Sequence, residues 1–328
     1  MKVLVTGGSG FVGLRLLSGL LANGFTVRAT HRRMPPPPSA PAVQWCRLAD
    51  LESARAMEQA VAGTEAIIHL AALAHQPARA DAQRTQDFQR VNGEGTRLLA
   101  GAAARAGVAR FVFISSIAAV CTRSATPIDD RTVCSPSDAY GRSKLAGERA
   151  LAQELTGGTT DWCILRPPLV YGPGNPGNMR RLQRLIGSGL PLPFGAIRNK
   201  RSFLFVDNLV DAILTVLRHP ASTRSAFALS DGSDYSTPQL AAALAAASGR
   251  RLQLLPVPIA ALKLAGRVGD LVNALFRREG GLDSSAVDRL VGSLLVDGSR
   301  FGTTFGWRPP IAPDRALALT AQALVGAC

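Results

Sequence analysis

The chain has 328 residues, 47% of them hydrophobic and 18% charged, a globular composition that excludes general disorder and suits an α/β unit with an appended lobe. Lys and Arg number 37 against 23 acids, a net charge of +14, which favours anionic partners: nucleic acid, an anionic membrane surface or phosphorylated small molecules. Only Lys2, Lys144, Lys200 and Lys263 are lysines, so the cations are mostly arginine in an alanine-rich chain, and their positions say more than their sum.

The opening residues MKVLVTGG enter a strand at Lys2–Thr6 without signal-peptide architecture, so a cytoplasmic protein is expected. A helix is predicted over Gly10–Ala22, with apolar residues at 11, 12, 14, 16, 17, 20 and 21 and Asn23-Gly24 as its stop. Further strands are predicted at Thr26–Thr30, Val43–Leu48, Ala66–Leu70, Arg110–Ile114 and Trp162–Leu165, with helices between them at about 52–62, 84–106 and 138–155. Such alternation implies right-handed βαβ crossovers and a doubly wound parallel sheet covered on both faces. Pro35–Pro38 reads as a stiff surface loop, and the polar, unperiodic stretch 121–137 as an excursion near the site. Beyond Pro167-Pro168 the alternation weakens and glycine and proline cluster. Residues 1–167 are therefore taken as a dinucleotide-binding domain, and 168–328 mainly as a substrate-binding lobe with some segments returning to the first domain. The apolar segment 257–277 carries Lys263, Arg267 and Asp270, which favours a lobe helix over a membrane anchor. No run of about 18 uncharged apolar residues predicts a membrane span. The five scattered cysteines (Cys46, Cys121, Cys134, Cys163, Cys328) support neither a disulfide framework nor a metal site.

Four patterns carry chemistry. The first strand runs into Gly7, Gly10 and Gly13, which permit a tight turn, close approach to a pyrophosphate and close helix–strand packing, with the N–H groups of the next helix aimed at the anion. With strand and helix both flanking the glycines, the fold class is a Rossmann-type α/β sheet with a smaller C-terminal lobe. An acid near the end of the second strand would bind the adenosine 2′-hydroxyl of NAD; the stretch Val27–Arg33 has none and offers Arg32 and Arg33 instead. Guanidinium pairs with a 2′-phosphate, so NADP(H) is preferred and NAD(H) remains possible. Tyr140 and Lys144 are four apart on a predicted helix, hence on one face. A neighbouring ammonium would lower the phenol's pKa of about 10 toward the working range. Upstream, the strand 110–114 ends in Ser115 and Ser116, hydroxyls at the carboxyl end where ligands bind parallel sheets.

The motifs TGGSGFVG at the start, Asp50-Leu51, HLAA at 69–72, VNGEGT at 91–96, ISS at 114–116, YGRSK at 140–144, LRPPLVYGPG at 165–174 and RSFLFVDNLVDAI at 201–213 resemble the extended short-chain dehydrogenases/reductases, the NAD-dependent epimerase/dehydratase family. Within it the chain is most similar to bacterial nucleotide-sugar epimerases, dehydratases and 4-keto-sugar reductases of surface-polysaccharide biosynthesis. The resemblance implies that Gly7, Gly10, Phe11 and Val12 hold the pyrophosphate, with Gly13 packing behind them. It further implies that Asp50 and Leu51 meet the adenine, and that Leu70, Ala71 and Ala72 line the cofactor strand. Tyr140 would be the proton donor or acceptor, Lys144 would bind the nicotinamide ribose, and Ser116 rather than Ser115 would hold the reacting sugar oxygen. Asn178 and Arg201 match positions that contact the nucleotide diphosphate, and Leu192–Phe194 the loop that brackets the base. A homodimer is likewise implied. Three positions depart from the family pattern: the missing acid after the second strand, Val120-Cys121-Thr122 where Tyr-Gly is usual, and Leu169 where Asn is common.

All the implied reactions move a hydride at a sugar carbon while Tyr140 moves a proton on its oxygen. Ile117-Ala118-Ala119 after the serines lacks the acid/base pair of a 4,6-dehydratase. Arg32 and Arg33 favour an NADPH-dependent reductase of a UDP-4-keto-6-deoxy-(N-acetyl)hexosamine; a UDP-hexose or UDP-N-acetylhexosamine 4-epimerase with tightly held NAD is the alternative. A non-catalytic cofactor-sensing protein would be expected to have lost the Tyr–Lys pair, and no basic–aromatic interleaving or zinc module supports a nucleic-acid partner. Weak peripheral association with an anionic membrane is compatible with the charge.

Overall fold

The computed structural model describes residues 1–32, 42–48, 51, 53–74, 82–220, 223–276 and 283–325. Two sheets share the chain. The first has seven parallel strands, β1 (Lys2–Thr6), β2 (Thr26–His31), β3 (Val43–Arg47), β4 (Ala66–His69), β5 (Arg110–Ile114), β7 (Asp161–Arg166) and β10 (Ser225–Ala228), in spatial order β3-β2-β1-β4-β5-β7-β10. The order reverses beside β1, between β1 and β4, which opens the crevice where doubly wound folds take ligands. The central strands β1, β4 and β5 are apolar because both faces are covered: Val3, Leu4, Val5, Ile67, Ile68, Phe111 and Val112 are fully buried.

On one face lie α1 (Phe11–Ala22) and α7 (Val206–Arg218). On the other lie α2 (Ala54–Val61), α4 (Gly95–Arg105) and α5 (Ala139–Leu155). The α1 stripe Gly13, Leu16, Leu17 and Leu20 is buried, at the spacing of one helical face. The single helix expected over 84–106 is α3 (Ala82–Phe88) and α4 joined by a π-helical turn, Gln89–Glu94. A π turn adds a residue to the ring and turns its side chains off the regular helical face.

The second sheet runs β11 (Asp234–Tyr235), β9 (Arg201–Phe205), β12 (Leu294–Val296), β6 (Ser124–Ile128), with β8 (Leu169–Tyr171) also pairing β9. The 121–137 stretch is thus not wholly irregular: β6 pairs in parallel with β12, and only its last residue, Ile128, is buried, so no apolar alternation marks it. The remaining helices are α6 (Asn178–Gly187), α8 (Thr237–Ala247), α9 (Ile259–Phe276), α10 (Ser284–Val291), α11 (Ser299–Phe305) and α12 (Pro313–Val325). Helices α6, α8, α10 and α12 build a separate apolar core with Phe203 and Phe205 of β9. β10, α7, α11 and Trp307 pack instead on the first sheet.

Candidate active site

The glycine turn brings β1 against the end of β4. Gly7 has φ +73°, and a Cβ there would lie 2.8 Å from the Ala71 amide nitrogen. A Cβ on Gly13 would collide with the Gly7 and Gly8 carbonyls, so α1 can approach the turn only without a side chain here. Gly7, Gly10, Arg32, Leu51, Leu70, Ala71 and Ala72 line a cleft of about 540 Å³. Thr30, His31, Arg90 and Val91 line it too, none of them expected in that role from the sequence. Phe11 and Val12 differ: their side chains pack toward the lobe core, so only their backbone is offered to the cleft. Arg33 and Asp50 lie outside the described residues.

This cleft fits a dinucleotide. Its glycine cradle has no room for a Cβ. Gly10, the N-cap of α1, supplies no side-chain cap to the first-turn N–H groups, which suits an anion. The buried Nδ1 of His31 has no partner in the protein.

At the carboxyl end of β5 the two serines part. Ser115 Oγ donates to Glu148 Oε1 at 2.5 Å, inside a buried pair in which Arg166 Nη2 meets Glu148 Oε2 at 2.6 Å. Ser116 caps a 3₁₀ turn over Ile117–Ala119, accepts from Ala118 N at 3.2 Å, and stands close enough to the Tyr140 phenol to draw its pKa down. The Ser115 hydroxyl is thus committed to a buried carboxylate, whereas the Ser116 hydroxyl is not. Tyr140 stands in the first turn of α5, whose N-cap Asp138 accepts from Gly141 N at 2.6 Å, and its ring meets the edge of Phe88.

Lys144, 2% exposed, lies one turn further along α5. Its Nζ donates to the Ile114 carbonyl at 2.7 Å and stands 4.4 Å above the Phe113 ring. Burial lowers the ammonium to about 7 against the upward pull of the Glu148 carboxylate. Tyr140 does not show the depression expected from the Tyr–Lys spacing. Burial pushes its phenol up to about 12, Ser116 draws it down and Asp138 pushes it up, because Lys144 is held on a carbonyl rather than on the phenol.

Behind the pair, Asn92 in the π turn ties three elements together. Its Oδ1 accepts from Leu73 N at 2.7 Å, and its Nδ2 donates to Leu73 O and to Ser143 Oγ. A polar residue buried mid-helix with both amide ends used is a positioning device; the sequence marks it only as the asparagine of VNGEGT at 91–96, with no role attached.

In the lobe, Arg201 opens β9 and its Nη1 donates to the Arg289 carbonyl at 2.9 Å. Burial lowers its guanidinium, and Arg123 and Arg289, which crowd it, add to the effect. Arg123 is held by Asp288 at 2.7 Å. Leu192 and Phe194 are 3% and 4% exposed and belong to the lobe core, so these side chains do not line an open subsite. Asn178 is the first residue of α6. The structure thus gathers Ser116, Tyr140 and Lys144 at one point and the cofactor residues in one cleft, but it leaves the lobe residues apart from that cleft's lining. Among the described residues no cluster of His, Cys, Asp and Glu could hold a metal ion.

A reversed strand order, a glycine-lined cleft and a Ser–Tyr–Lys cluster define an α/β protein of the Rossmann-like dinucleotide fold. The chain belongs to the NAD dependent epimerase/dehydratase family, whose family model matches residues 3–229. It is 36% identical to a UDP-glucose 4-epimerase of Vibrio cholerae over 99% of this chain and 96% of that one. It is 26% identical to an N-acetyl-α-D-glucosaminyl-diphospho-ditrans,octacis-undecaprenol 4-epimerase of Escherichia coli O157:H7, over 98% and 94%. In fold it matches the crystal structure of a Thermus thermophilus UDP-glucose 4-epimerase in complex with NAD, at TM-score 0.78 and 21% identity over the whole of both chains.

Proposed function

We propose that this protein is a nucleotide-sugar oxidoreductase acting at C4 of a UDP-linked hexose or N-acetylhexosamine, and that it works as a 4-epimerase. The observation that carries the reading is the pairing of Ser116 with Tyr140 one helical turn from buried Lys144, in a protein that also has a glycine-lined cleft fit for a dinucleotide. The two curated relatives, both named as 4-epimerases of diphosphate-linked sugars, support C4 as the reacting carbon. When bound, the nicotinamide supplies a hydride acceptor and donor. Ser116 holds the C4 oxygen by a hydrogen bond, and Tyr140 moves its proton. A phenol raised to about 12 is neutral at physiological pH and is poised to donate as a 4-keto oxygen becomes a hydroxyl. Lys144 would hold the nicotinamide ribose, and Arg201 would meet the diphosphate.

One observation favours a second reading. Arg32 lines the cleft just beyond β2, and a 2′-phosphate is what a guanidinium there would recognise. That suits an NADPH-dependent reductase of a UDP-4-keto-6-deoxy sugar. The experiment is to purify the protein, identify any retained dinucleotide, and follow UDP-glucose and UDP-N-acetylglucosamine by NMR without added cofactor. The epimerase reading expects retained NAD and a C4 epimer. Turnover only of a UDP-4-keto-6-deoxy sugar with added NADPH would replace it with the reductase. In either case Tyr140→Phe is expected to lower turnover by about 10²–10⁴-fold while dinucleotide binding persists.

A further inference from the structure

Helix α9 (Ile259–Phe276) is seated on the protein by a narrow seam. Leu262 and Gly266 are buried, Gly269 and Asn273 half-buried, and the seam rests on α10, where a Cβ at Gly266 would stand 3.0 Å from Val287 Cγ2. Leu264, Val268, Leu271 and Val272 point the other way and are 62%, 53%, 69% and 43% exposed. At about 100° per residue these four fill one arc of roughly 100°, opposite the seam. Scattered exposed apolar residues are ordinary, but a continuous stripe along several turns marks an interaction surface.

Charge says what covers it. Lys263 and Arg267 are exposed on one margin of the stripe. From Arg250 to Gly269 the sequence holds four cations (Arg250, Arg251, Lys263 and Arg267) and no acid. Asp270, the next acid, accepts from the Ser284 backbone N–H toward α10. An apolar stripe with a cationic margin matches the boundary of an anionic bilayer, where the stripe enters the acyl region and the cations meet phosphates. A second copy of the chain fits less well, since it would bring the same cations and another +14 of net charge against this face. Among the described residues no helix is long and apolar enough to cross a membrane, so the helix would lie in the plane of the interface.

We propose that the exposed face of α9 docks this protein on an anionic lipid surface. The helix is joined through residues 256–258 to the segment whose Leu255 amide donates to Leu192 O, so the docked face adjoins the substrate lobe. The inference stands on α9 alone and does not depend on the C4 chemistry.

Vesicle cosedimentation tests it, using the full chain with phosphatidylcholine vesicles with and without about 30 mol% phosphatidylglycerol. The protein is expected to pellet with the phosphatidylglycerol vesicles and to be released by salt. The double variant Leu264→Glu/Leu271→Glu is expected to lose binding at least about tenfold, and Lys263→Glu/Arg267→Glu to lose about tenfold at low salt. Far-UV circular dichroism and UDP-sugar turnover should match wild type in both variants, since all four side chains are exposed. If the leucine variant does not fold, the charge-reversed variant alone decides. Pelleting no greater than in vesicle-free controls, or unchanged by the substitutions, overturns the proposal. So does loss of a dimer in the leucine variant without any vesicle binding, which would assign the face to a second copy.

Discussion

His69 shows how tightly the residues behind the cleft are specified. Thr96 Oγ1 donates to the Asn92 carbonyl at 2.7 Å, so it accepts at 3.0 Å from His69 Nε2; Nδ1 must then accept from Thr6 Oγ1 at 2.6 Å. Thr6 Oγ1 in turn accepts from Ala71 N at 3.3 Å, at the cleft wall. The ring is neutral, fully buried and stacked on Phe113, and burial, aided by the Lys144 charge, lowers its pKa to about 3. Between about pH 3 and 6.5 the unfolded chain carries a proton here that the folded chain does not, so stability falls as pH drops through that window. The loss due to this group should be about 3 kcal/mol between pH 7 and 4. Asp231, raised to about 6 by burial, binds its proton in the folded state and opposes the slope between about pH 4 and 6. Chemical denaturation of wild type and His69→Gln at both pH values separates the two: the variant should lose much of the acid sensitivity. The sequence makes the Tyr140–Lys144 pair legible because i, i+4 spacing is enough to place two side chains on one face. The direction of their titration is not legible there, since it depends on burial and on which carbonyl the ammonium meets.

Among the elements, α5 decides where the phenol sits. It crosses the 3₁₀ turn so closely that a Cβ on Gly141 would run into the Ala118 carbonyl, and one on Gly147 into the Asn92 carbonyl. Ser116 precedes one contact and Tyr140 adjoins it, so the two glycines set the distance between the reacting groups. Gly141→Ala is expected to push α5 off the turn and lower turnover at least about tenfold, with a smaller effect on dinucleotide affinity; steady-state kinetics beside a binding titration checks this. Strands β1, β4, β5 and β7 were legible because each carries a buried apolar run. β6 was not, as four of its five residues are not buried and its order comes from β12, some 170 residues away. The π turn was equally hidden: the run from Gln83 to Arg105 is helical in pattern, and only the bonds of buried Asn92 reveal the extra residue.

Across the whole molecule the proposed dinucleotide and UDP-sugar contacts fall on different sheets. The cleft belongs to the seven-stranded sheet, and Arg201 to the second. Each ligand should raise the melting temperature by itself, with UDP contributing about 2.7 kcal/mol at a hundredfold excess over its Kd. In Arg201→Ala the UDP shift should shrink sharply while the dinucleotide shift stays, each read against the variant's own ligand-free melting curve. The glycines, Tyr140 and Lys144 all lie before residue 168, which is why the first half of the chain reads as a complete nucleotide domain. Yet β10 is the edge strand beside β7, and α7, Phe301, Phe305 and Trp307 pack with Leu16 and Leu20 of α1 over the sheet face that includes Val112 and Leu165. A ribosome that has finished residue 167 has therefore made the chemical groups but not the wall that keeps their sheet dry. Synthesis must run past Trp307 before this core can close, and until then the nascent chain presents an open strand edge and an apolar face that α1 alone covers only in part.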